Sequence, residues 1–514
     1  MHLLTLIDEA ATKFPEQDAI RWGDDRVTYA QLQQQIASVA GNAIRAGAKP
    51  GERFLYAAKP NVDSLVVTLG LLRAGLTLVF VDPFSAPDLF NARARLVEAS
   101  FVVADSLLYL VGHRRLARLR AWRNLNICDY STVDTAKHWF VGSWLPGLPK
   151  GATGVSAWRH GAVDTTIVLP KLDGNADAII VFTSGTTGDP KGVVHSLATL
   201  SANATGFASR FSLQPGEIVY SEPMTLGVVA LATGATWVIP KKGEEIPEEV
   251  GVLFAVPTEV LQHLDNAESQ KKPPRVRVLG TGGAPVLPSL IKRIGAVLGS
   301  ETLVLAVYGM TEMLPVAVAT GEEKLSYSLS GDLLGEHIGD TKVRISADRE
   351  IEVAGSGLMT RYFGREPSVW HPTGDLGRLD ADGRIVMLGR KKNMLIRGNM
   401  NIYPSLYEPG ITKISGVADA VIVGVPNEYG DDRVVLFVIP ADKGADEHRL
   451  QLLVEKEIVH HMDVAALPDL IRVIKSMPVS GRSLKRNMTE LAALAKALFP
   501  DEAATHESIQ GKSQ

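Results

Sequence analysis

The sequence has little of three things that would direct a functional interpretation elsewhere: cysteine, charge of one sign and long apolar runs. Its 514 residues contain a single cysteine, Cys128, which excludes an internal disulfide framework and suits a reducing compartment. Nothing around Cys128 resembles a nucleophile motif, so we do not expect cysteine catalysis. A formal net charge of −4 gives no electrostatic reason to expect a nucleic-acid partner.

Membrane-spanning and targeting patterns are also missing. The residues that follow Met1 lack a basic stretch and soon reach Asp8 and Glu9, which argues against a secretory signal peptide. The longest uncharged run, residues 223–240, is broken by glycines and threonines and is short for a membrane span. We therefore expect a cytoplasmic protein without an integral membrane segment. The same run is predicted to form core, or the wall of an apolar pocket.

What the sequence does contain is a loop with the composition of a phosphate-binding site. The apolar residues 178–182 are rich in β-branched side chains and predict a buried strand. They are followed by the loop Thr183-Ser184-Gly185-Thr186-Thr187-Gly188-Asp189-Pro190-Lys191-Gly192. Glycines let backbone N–H groups converge, hydroxyls add donors and Lys191 adds a cation, all of which suit phosphate. The lysine does not have Walker spacing, so an ordinary polar turn is the alternative.

Apolar patterning along the rest of the chain alternates between strand and helix. Residues 29–46 have helical spacing, with Thr28 as their N-cap. Residues 193–200 are predicted to begin a helix, and residues 219–240 to contain two short strands. Strands that alternate with helices indicate parallel sheets covered on both faces. The short alternating strands after Thr341 indicate instead an antiparallel or barrel-like subdomain.

A charged stretch without apolar periodicity, residues 389–393, divides the predicted fold into two parts. We predict an α/β protein with a large multi-sheet amino-terminal domain that includes the barrel-like subdomain, residues 1–389. A small α+β carboxyl-terminal domain on a hinge, residues 390–500, would follow it. The polar tail, residues 501–514, has the composition of a disordered segment.

The phosphate loop and five later segments, in this order, resemble the adenylate-forming (AMP-binding) superfamily. The later segments are Gly282-Gly283-Ala284-Pro285, Tyr308-Gly309-Met310-Thr311-Glu312, Thr373-Gly374-Asp375, Arg390, and Arg397-Gly398-Asn399-Met400-Asn401-Ile402-Tyr403-Pro404. The superfamily includes acyl-CoA synthetases, firefly luciferases and peptide-synthetase adenylation domains. Each segment alone has an ordinary structural explanation, but six in the right order make coincidence improbable.

The resemblance implies a reaction in two steps. A carboxylic acid would attack the α-phosphate of ATP to give acyl-AMP and pyrophosphate, and the acyl group would then pass to CoA. The leading expectation is an acid–thiol ligase for an aliphatic or fatty acid, with ATP and Mg²⁺ as cofactors and CoA as co-substrate. Most of the work would be positioning and the neutralisation of phosphate charge.

The resemblance also implies roles for individual residues. The implied catalytic residues are Lys191, Thr311, Glu312, Lys392 and Arg482, with Lys392 at the hinge and Glu312 as the Mg²⁺ ligand. Tyr308 would stack on adenine, and Asp375 and Arg390 would contact the ribose hydroxyls. The complete set expected to bind ATP is Thr183, Ser184, Gly185, Thr186, Thr187, Gly188, Lys191, Gly283, Ala284, Pro285, Tyr308, Gly309, Met310, Thr311, Asp375 and Arg390.

One departure from the superfamily pattern concerns the lysine that reaches the carboxylate and α-phosphate during adenylation. It normally lies in a Ser-Gly-Lys sequence, where this chain has Ser480-Gly481-Arg482. We favour Arg482 in that role because it keeps the charge, although its guanidinium is a planar fork and not a point charge. The alternatives are that Lys485 substitutes for it, or that adenylation is slowed.

A second departure is the stretch after Tyr220, which lacks the aromatic–histidine pair of many superfamily members. The small apolar residues 227–232 would suit an aliphatic chain, with a plain core segment as the alternative. Residues 311–317 resemble those of β-lactone synthetases, which close a β-hydroxy acid on itself without CoA. Two rival functions therefore stay open: lactone formation, and nucleotide binding by a relative whose adenylation is impaired. The oligomeric state also stays open, and a homodimer is one possibility.

Overall fold

The computed structural model describes most of the chain. The described residues are 2–81, 83, 87–113, 127–133, 136–182, 191–222, 224–241, 244–270, 273–391, 394–397, 400–402, 404–426, 432–442, 444–462, 466–480 and 485–499. Among them, every helix is too short or too polar to cross a membrane.

The helices and strands of these residues alternate along much of the chain. The helices are α1 (Leu3–Lys13), α2 (Tyr29–Arg45), α3 (Val62–Arg73), α4 (Pro87–Val97), α5 (Ser106–Gly112), α6 (Leu197–Phe211), α7 (Met224–Thr233), α8 (Pro257–Gln270), α9 (Pro288–Leu298), α10 (Gly321–Ser326), α11 (Pro404–Ile411), α12 (Glu447–Glu457) and α13 (Met488–Ala497). The first strands are β1 (Asp18–Trp22), β2 (Asp25–Thr28), β3 (Arg53–Ala57), β4 (Thr77–Phe80), β5 (Phe101–Asp105), β6 (Lys137–Val141), β7 (Thr153–Gly154), β8 (Asp177–Phe182), β9 (Gly192–Ser196), β10 (Ile218–Ser221), β11 (Thr236–Val238), β12 (Glu249–Ala255), β13 (Arg275–Gly282) and β14 (Leu303–Met310). The later strands are β15 (Met313–Thr320), β16 (Asp332–His337), β17 (Lys342–Ile345), β18 (Glu350–Ala354), β19 (Arg361–Tyr362), β20 (His371–Leu379), β21 (Ile385–Arg390), β22 (Leu395–Arg397), β23 (Met400–Ile402), β24 (Val417–Pro426), β25 (Asp432–Pro440), β26 (Leu470–Val473), β27 (Val479–Ser480) and β28 (Lys485–Arg486).

Two large sheets contain most of the described strands. One has the order β17-β18-β20-β21-β16-β15-β14-β13-β12-β10-β11-β1-β2, and the other β19-β9-β8-β4-β3-β5-β6-β7. Strands β10 to β14 pair in parallel, whereas β15 to β18 and β20 to β21 pair antiparallel. The α/β class and the antiparallel character of the region after Thr341 are therefore confirmed.

The main core lies between the two large sheets. It includes Phe54 from β3 and Val219 from β10, together with buried residues of α1, α2, α3, α6 and α7. Burial of this apolar surface against helices from both sides is the principal stabilisation of such a layered fold. The parallel strands consequently end at edges where their following loops can converge on a ligand.

Helix α2 forms as its sequence predicts. Thr28 accepts a hydrogen bond from the Gln31 backbone N–H, and the Gln31 side chain accepts one from the Thr28 N–H. This capping box satisfies two donors that the helix leaves without a partner. Leu32, Ile36 and Val39 recur at helical spacing and are buried. The prediction of a helix over residues 29–46 with Thr28 as its N-cap is confirmed to within one residue.

Two predictions of local structure need correction. Residues 193–196 do not begin a helix: they belong to β9, which pairs antiparallel with β8, and α6 begins only at Leu197. The two strands predicted within residues 219–240 are present as β10 and β11, but helix α7 lies between them. A helix that is apolar on all sides shows no helical period in its sequence, and this hid α7.

The carboxyl-terminal residues have their own apolar cores. One is formed by residues between Leu395 and Ile471, and another by residues of β24, β25 and α13. Strand β21 extends to Arg390, the first residue of the predicted mobile domain. The division at 389/390 stays a prediction.

A largely buried ion pair fastens β28 to this unit. Arg486 donates from Nη1 to Glu408 Oε2 at 3.0 Å and from Nη2 to Asp419 Oδ1 at 2.6 Å. Their side chains are 15–23% exposed. Burial raises the pKa of Glu408 and the pKa of Asp419, and the Arg486 charge counteracts both shifts.

Replacing Arg486 with methionine should destabilise β24 and β25 by about 2–3 kcal/mol. The loss is smaller than that for a fully buried pair because these side chains keep some contact with water. Without Arg486 the pKa of each carboxyl rises further above its unfolded-state value. The destabilisation is then largest at pH 8 and shrinks as pH falls through the raised pKa values.

Hydrogen exchange of the β24 and β25 amides measures this local opening directly. Arg449→Met, which changes an exposed arginine of α12, is the matched control and should have little effect. The role of the Arg486 ion pair would be contradicted if β24 and β25 lost equal stability at pH 8 and pH 5, or if the control variant lost as much stability as Arg486→Met.

Candidate active site

Lys191 is the one member of the predicted phosphate loop whose side chain the structure describes, and it lies just before β9. Its Nζ is 5.5 Å from the centre of the Tyr362 ring, in a cation–π contact. Strand β19 places Tyr362 there because Tyr362 pairs with Val193 of β9. The lysine is therefore held at the edge of the second large sheet, next to the end of β8.

The turn between β14 and β15 brings Glu312 to the same place. Met310 pairs with Met313, so Thr311 and Glu312 form the tip of a hairpin. The Tyr362 hydroxyl donates to Glu312 Oε1 at 2.7 Å, and the Met359 N–H donates to the Glu312 carbonyl at 2.7 Å. Lys191 and Glu312 are thus both in contact with Tyr362, so these two segments lie close together.

Tyr308, Asp375 and Arg390 form a second group on the same set of strands. The Tyr308 hydroxyl donates to Asp375 Oδ2 at 2.7 Å, and Arg390 Nε lies 3.1 Å from Asp375 Oδ1. Asp375 and Arg390 are cross-strand partners of β20 and β21. The Asp375 side chain is 8% exposed while that of Arg390 is 66% exposed. Burial raises the pKa of Asp375, and the neighbouring Arg390 charge opposes that shift.

Replacing Asp375 with asparagine should weaken ATP binding by about tenfold to 100-fold. The substitution removes the charge from the hydrogen bond that Asp375 would accept from a ribose hydroxyl, and a charge-assisted hydrogen bond is worth roughly 1.5–3 kcal/mol. The amide can still accept from Tyr308, so the local fold should persist. Titration calorimetry with ATP measures the effect. Asp382→Asn, in the turn of the same hairpin and 71% exposed, is the control. Unchanged ATP affinity in the Asp375 variant would contradict the ribose assignment.

The glycine-containing loop Gly283-Ala284-Pro285 follows β13 and lies beside Tyr308. Gly282 pairs with Val307 in the parallel β13–β14 ladder, so the loop and Tyr308 leave the sheet at the same edge. Gly283 has φ +77°, a backbone conformation that residues with a Cβ rarely adopt. At Gly309 a Cβ would lie 2.5 Å from Leu314 Cδ1. The backbone conformation therefore favours glycine at 283, and at 309 a larger residue would displace the Leu314 side chain.

Several predicted site residues lie outside the described residues, and their roles stay predictions. They are Thr183, Ser184, Gly185, Thr186, Thr187, Gly188, Lys392 and Arg482. Lys485 lies in β28, but its side chain is also outside the described set. The other predicted residues meet in the two groups described above and in the adjoining Gly283 loop.

Three side chains around the turn were not predicted from the sequence. His195 contacts the Thr311 carbonyl, Tyr362 contacts Glu312, and the His371 ring lies 6.0 Å from that of Tyr362. Burial lowers the pKa of His371. No local signal marks these residues, since each contact joins segments that only the sheet pairing brings together.

Mg²⁺ is the ion that the resemblance implies at Glu312. Among the described residues, no three His, Cys, Asp or Glu side chains come together to hold a metal. A carboxylate such as that of Glu312 suits Mg²⁺, because this ion is bound by one or two carboxylates and keeps waters and phosphate oxygens as its other ligands. The donor set therefore fits a metal that arrives with ATP.

The predicted apolar pocket at residues 227–232 is core instead. Leu226, Val229 and Leu231 are buried in the main core, and a Cβ on Gly227 would lie 2.0 Å from Trp237. A separate open cleft of about 1610 Å³ has Phe80 and Tyr220 among its walls. It shares no described residue with the Tyr308 and Glu312 groups.

The chain is similar to known enzymes over nearly its whole length. A 3-[(3aS,4S,7aS)-7a-methyl-1,5-dioxo-octahydro-1H-inden-4-yl]propanoyl:CoA ligase of Rhodococcus jostii is 27% identical over 522 residues, which are 94% of this chain and 97% of the relative. A long-chain-fatty-acid–CoA ligase of Salmonella typhimurium is 24% identical, over 95% of this chain and 94% of the relative. The structure of ATP-bound MatB from Rhodopseudomonas palustris superposes with a TM-score of 0.76 at 20% identity, over 97% of this chain and 100% of MatB.

These similarities confirm the resemblance to the adenylate-forming superfamily and the prediction of an acyl-CoA synthetase-like ligase. The sequence model of the family described as AMP-binding enzyme matches residues 7–363, which is well over half of the chain and includes Lys191, Tyr308 and Glu312. The chain therefore belongs to the AMP-binding enzyme family.

Proposed function

We propose that the protein uses ATP to convert a carboxylic acid to acyl-AMP, releasing pyrophosphate, and then transfers the acyl group to CoA. The observation that carries this proposal is the convergence of two groups on the β14–β15 hairpin and its neighbours. Lys191 and Glu312 would face phosphate, and Tyr308, Asp375 and Arg390 would hold the nucleoside. In-line attack on the α-phosphate requires that ATP be held in a fixed position, and contacts to both its nucleoside and its phosphates would do this.

The chemistry of the first step needs charge compensation more than covalent help. A carboxylate oxygen attacks the α-phosphorus, and the bond from that phosphorus to the pyrophosphate oxygen breaks. Lys191 would neutralise charge on the departing pyrophosphate, and Thr311, whose side chain is exposed, is available to the α-phosphate. Mg²⁺ held by Glu312 would supply additional positive charge when bound. Arg482 would approach the carboxylate and the α-phosphate.

The second step would need a different arrangement of the two predicted domains. We propose that Lys392 lies at the hinge and that rotation exchanges the Arg482 segment for the Gly398 loop. A few residues at the end of an element commonly absorb such a rotation. Thiol attack on acyl-AMP would then give acyl-CoA and AMP.

The acid is proposed to be apolar, either aliphatic or fatty. The two relatives described above are ligases for a bicyclic propanoate and for long-chain fatty acids. Both acids are largely apolar, and this is what supports the class.

Mass spectrometry of products from a mixed acid panel, with and without CoA, tests this function. The proposal predicts CoA-dependent thioesters of apolar acids together with AMP. A CoA-independent product lighter than its acid by one water would instead indicate lactone closure of a β-hydroxy acid. No product from any acid, with nucleotide still bound, would indicate the adenylation-impaired alternative.

A further inference from the structure

The Thr311–Glu312 turn is held from two sides by side chains to which the proposed reaction gives no role. One is His195 in β9, and the other is Tyr362 in β19. The two strands pair with each other, Tyr362 with Val193. The turn therefore rests on one two-stranded ladder through two separate contacts.

His195 contacts the backbone of the turn. Its Nε2 lies 2.8 Å from the Thr311 carbonyl oxygen, and its Nδ1 lies 3.1 Å from Thr199 Oγ1. A carbonyl oxygen can only accept, so Nε2 carries the proton. The residue is 5% exposed, and burial lowers the pKa of His195. The His195 ring is thus buried in the tautomer that donates from Nε2.

Tyr362 contacts the side chain of the turn. Its hydroxyl donates to Glu312 Oε1 at 2.7 Å, while the Met359 N–H donates to the Glu312 carbonyl at 2.7 Å. The ring of Tyr362 has two neighbours: Lys191 Nζ lies 5.5 Å from its centre, and the centre of the His371 ring lies 6.0 Å away. The hydroxyl therefore has little freedom, and the direction of the Glu312 carboxylate is set with it.

We propose that His195 and Tyr362 are positioning residues that hold the Thr311–Glu312 turn in the geometry that MgATP requires, His195 through the Thr311 carbonyl and Tyr362 through the Glu312 carboxylate. The inference rests on the proposed function of the turn. It explains why an exposed hairpin tip is anchored at both its backbone and its side chain. Groups that bind developing charge contribute most when their own positions are fixed beforehand.

Variants of His195 separate positioning from simple packing. His195→Leu removes the donor, whereas His195→Gln keeps an amide N–H that can reach the Thr311 carbonyl. The leucine variant should lose about 10-fold to 100-fold in carboxylate-dependent exchange of labelled pyrophosphate into ATP, the range expected for a lost hydrogen bond in a preorganised site. The glutamine variant should recover most of that loss. MgATP affinity, measured by titration calorimetry, should follow the same order.

Tyr362→Phe removes only the hydroxyl and keeps the ring contacts, so it tests the side-chain contact even if His195→Leu fails to fold. It should weaken MgATP binding by about tenfold and raise the Mg²⁺ concentration needed for half-maximal exchange. The matched control is Tyr29→Phe, which removes a buried hydroxyl that donates to Ala235 in the main core. That control should lower the melting temperature and leave MgATP affinity unchanged.

Two results would overturn the proposal. One is an equal loss of pyrophosphate exchange in His195→Leu and His195→Gln that only parallels a fall in their melting temperatures. The other is unchanged MgATP affinity in Tyr362→Phe. If the unmodified protein exchanges no pyrophosphate with any acid, the proposed function fails, and MgATP affinity of the variants still decides the positioning role. Absence of MgATP binding by the unmodified protein would overturn both.

Discussion

Replacing Arg482 with alanine should lower carboxylate-dependent pyrophosphate exchange by about 100-fold to 1,000-fold. Removing one preorganised group that stabilises transition-state charge typically costs this much. The acyl transfer from supplied acyl-AMP to CoA should be far less affected. Pyrophosphate has already left at that stage, so Arg482 is not needed to stabilise charge on the α-phosphate during its attack. Comparison of the two half-reactions on the same preparation measures the difference.

Lys485→Ala is the matched control for the Arg482 prediction. Arg482 falls in sequence between β27 and β28, and Lys485 begins β28, so the two variants change residues only three positions apart. Arg486 anchors β28 to Glu408 and Asp419 in either case. A large loss of exchange in the Lys485 variant with little loss in the Arg482 variant would contradict our assignment and favour Lys485 as the replacement for the superfamily lysine.

Replacing Glu312 with glutamine should reduce pyrophosphate exchange by about 100-fold and raise the Mg²⁺ requirement. The amide oxygen can still accept from Tyr362, so the turn should keep its shape while the negative charge disappears. A neutral amide is a poorer ligand than a carboxylate for a hard dication. Exchange rates measured over a series of Mg²⁺ concentrations, with MgATP calorimetry beside them, give the two effects separately.

The control for Glu312→Gln is Glu322→Gln, which changes an exposed acid in the first turn of α10. It should leave both the rate and the Mg²⁺ dependence unchanged. A Glu312 variant whose Mg²⁺ half-saturation equals that of the unmodified protein would show that this carboxylate does not ligate the ion. The role of Glu312 would then reduce to an interaction with Tyr362.

Local signals predicted the elements that depend on neighbouring residues. The Thr28–Gln31 capping box and the apolar face of α2 are properties of a few consecutive residues, so sequence alone was sufficient. The helix α7 was missed because burial on all sides removes the helical period. Strand β9 was mistaken for the start of a helix because its pairing with β8 is a tertiary contact that no short stretch encodes.

The candidate site shows the same division. The motif containing Tyr308 and Glu312 and the one containing Asp375 were found by resemblance, and the structure shows that Tyr308 and Asp375 meet. The contacts of His195 with Thr311 and of Tyr362 with Glu312 could not be predicted. They join residues 116 and 50 positions apart, and only the pairing of β9 with β19 brings them to one turn.

The most direct test of this account is exchange of labelled pyrophosphate into ATP by the unmodified protein, with a panel of apolar carboxylic acids and Mg²⁺. Reversible formation of acyl-AMP requires the label to enter ATP only when a suitable acid is present. We expect acid-dependent exchange that is reduced by Asp375→Asn and abolished without Mg²⁺. Absence of exchange with every acid, in a protein that binds MgATP, would contradict the proposal that this site adenylates carboxylates.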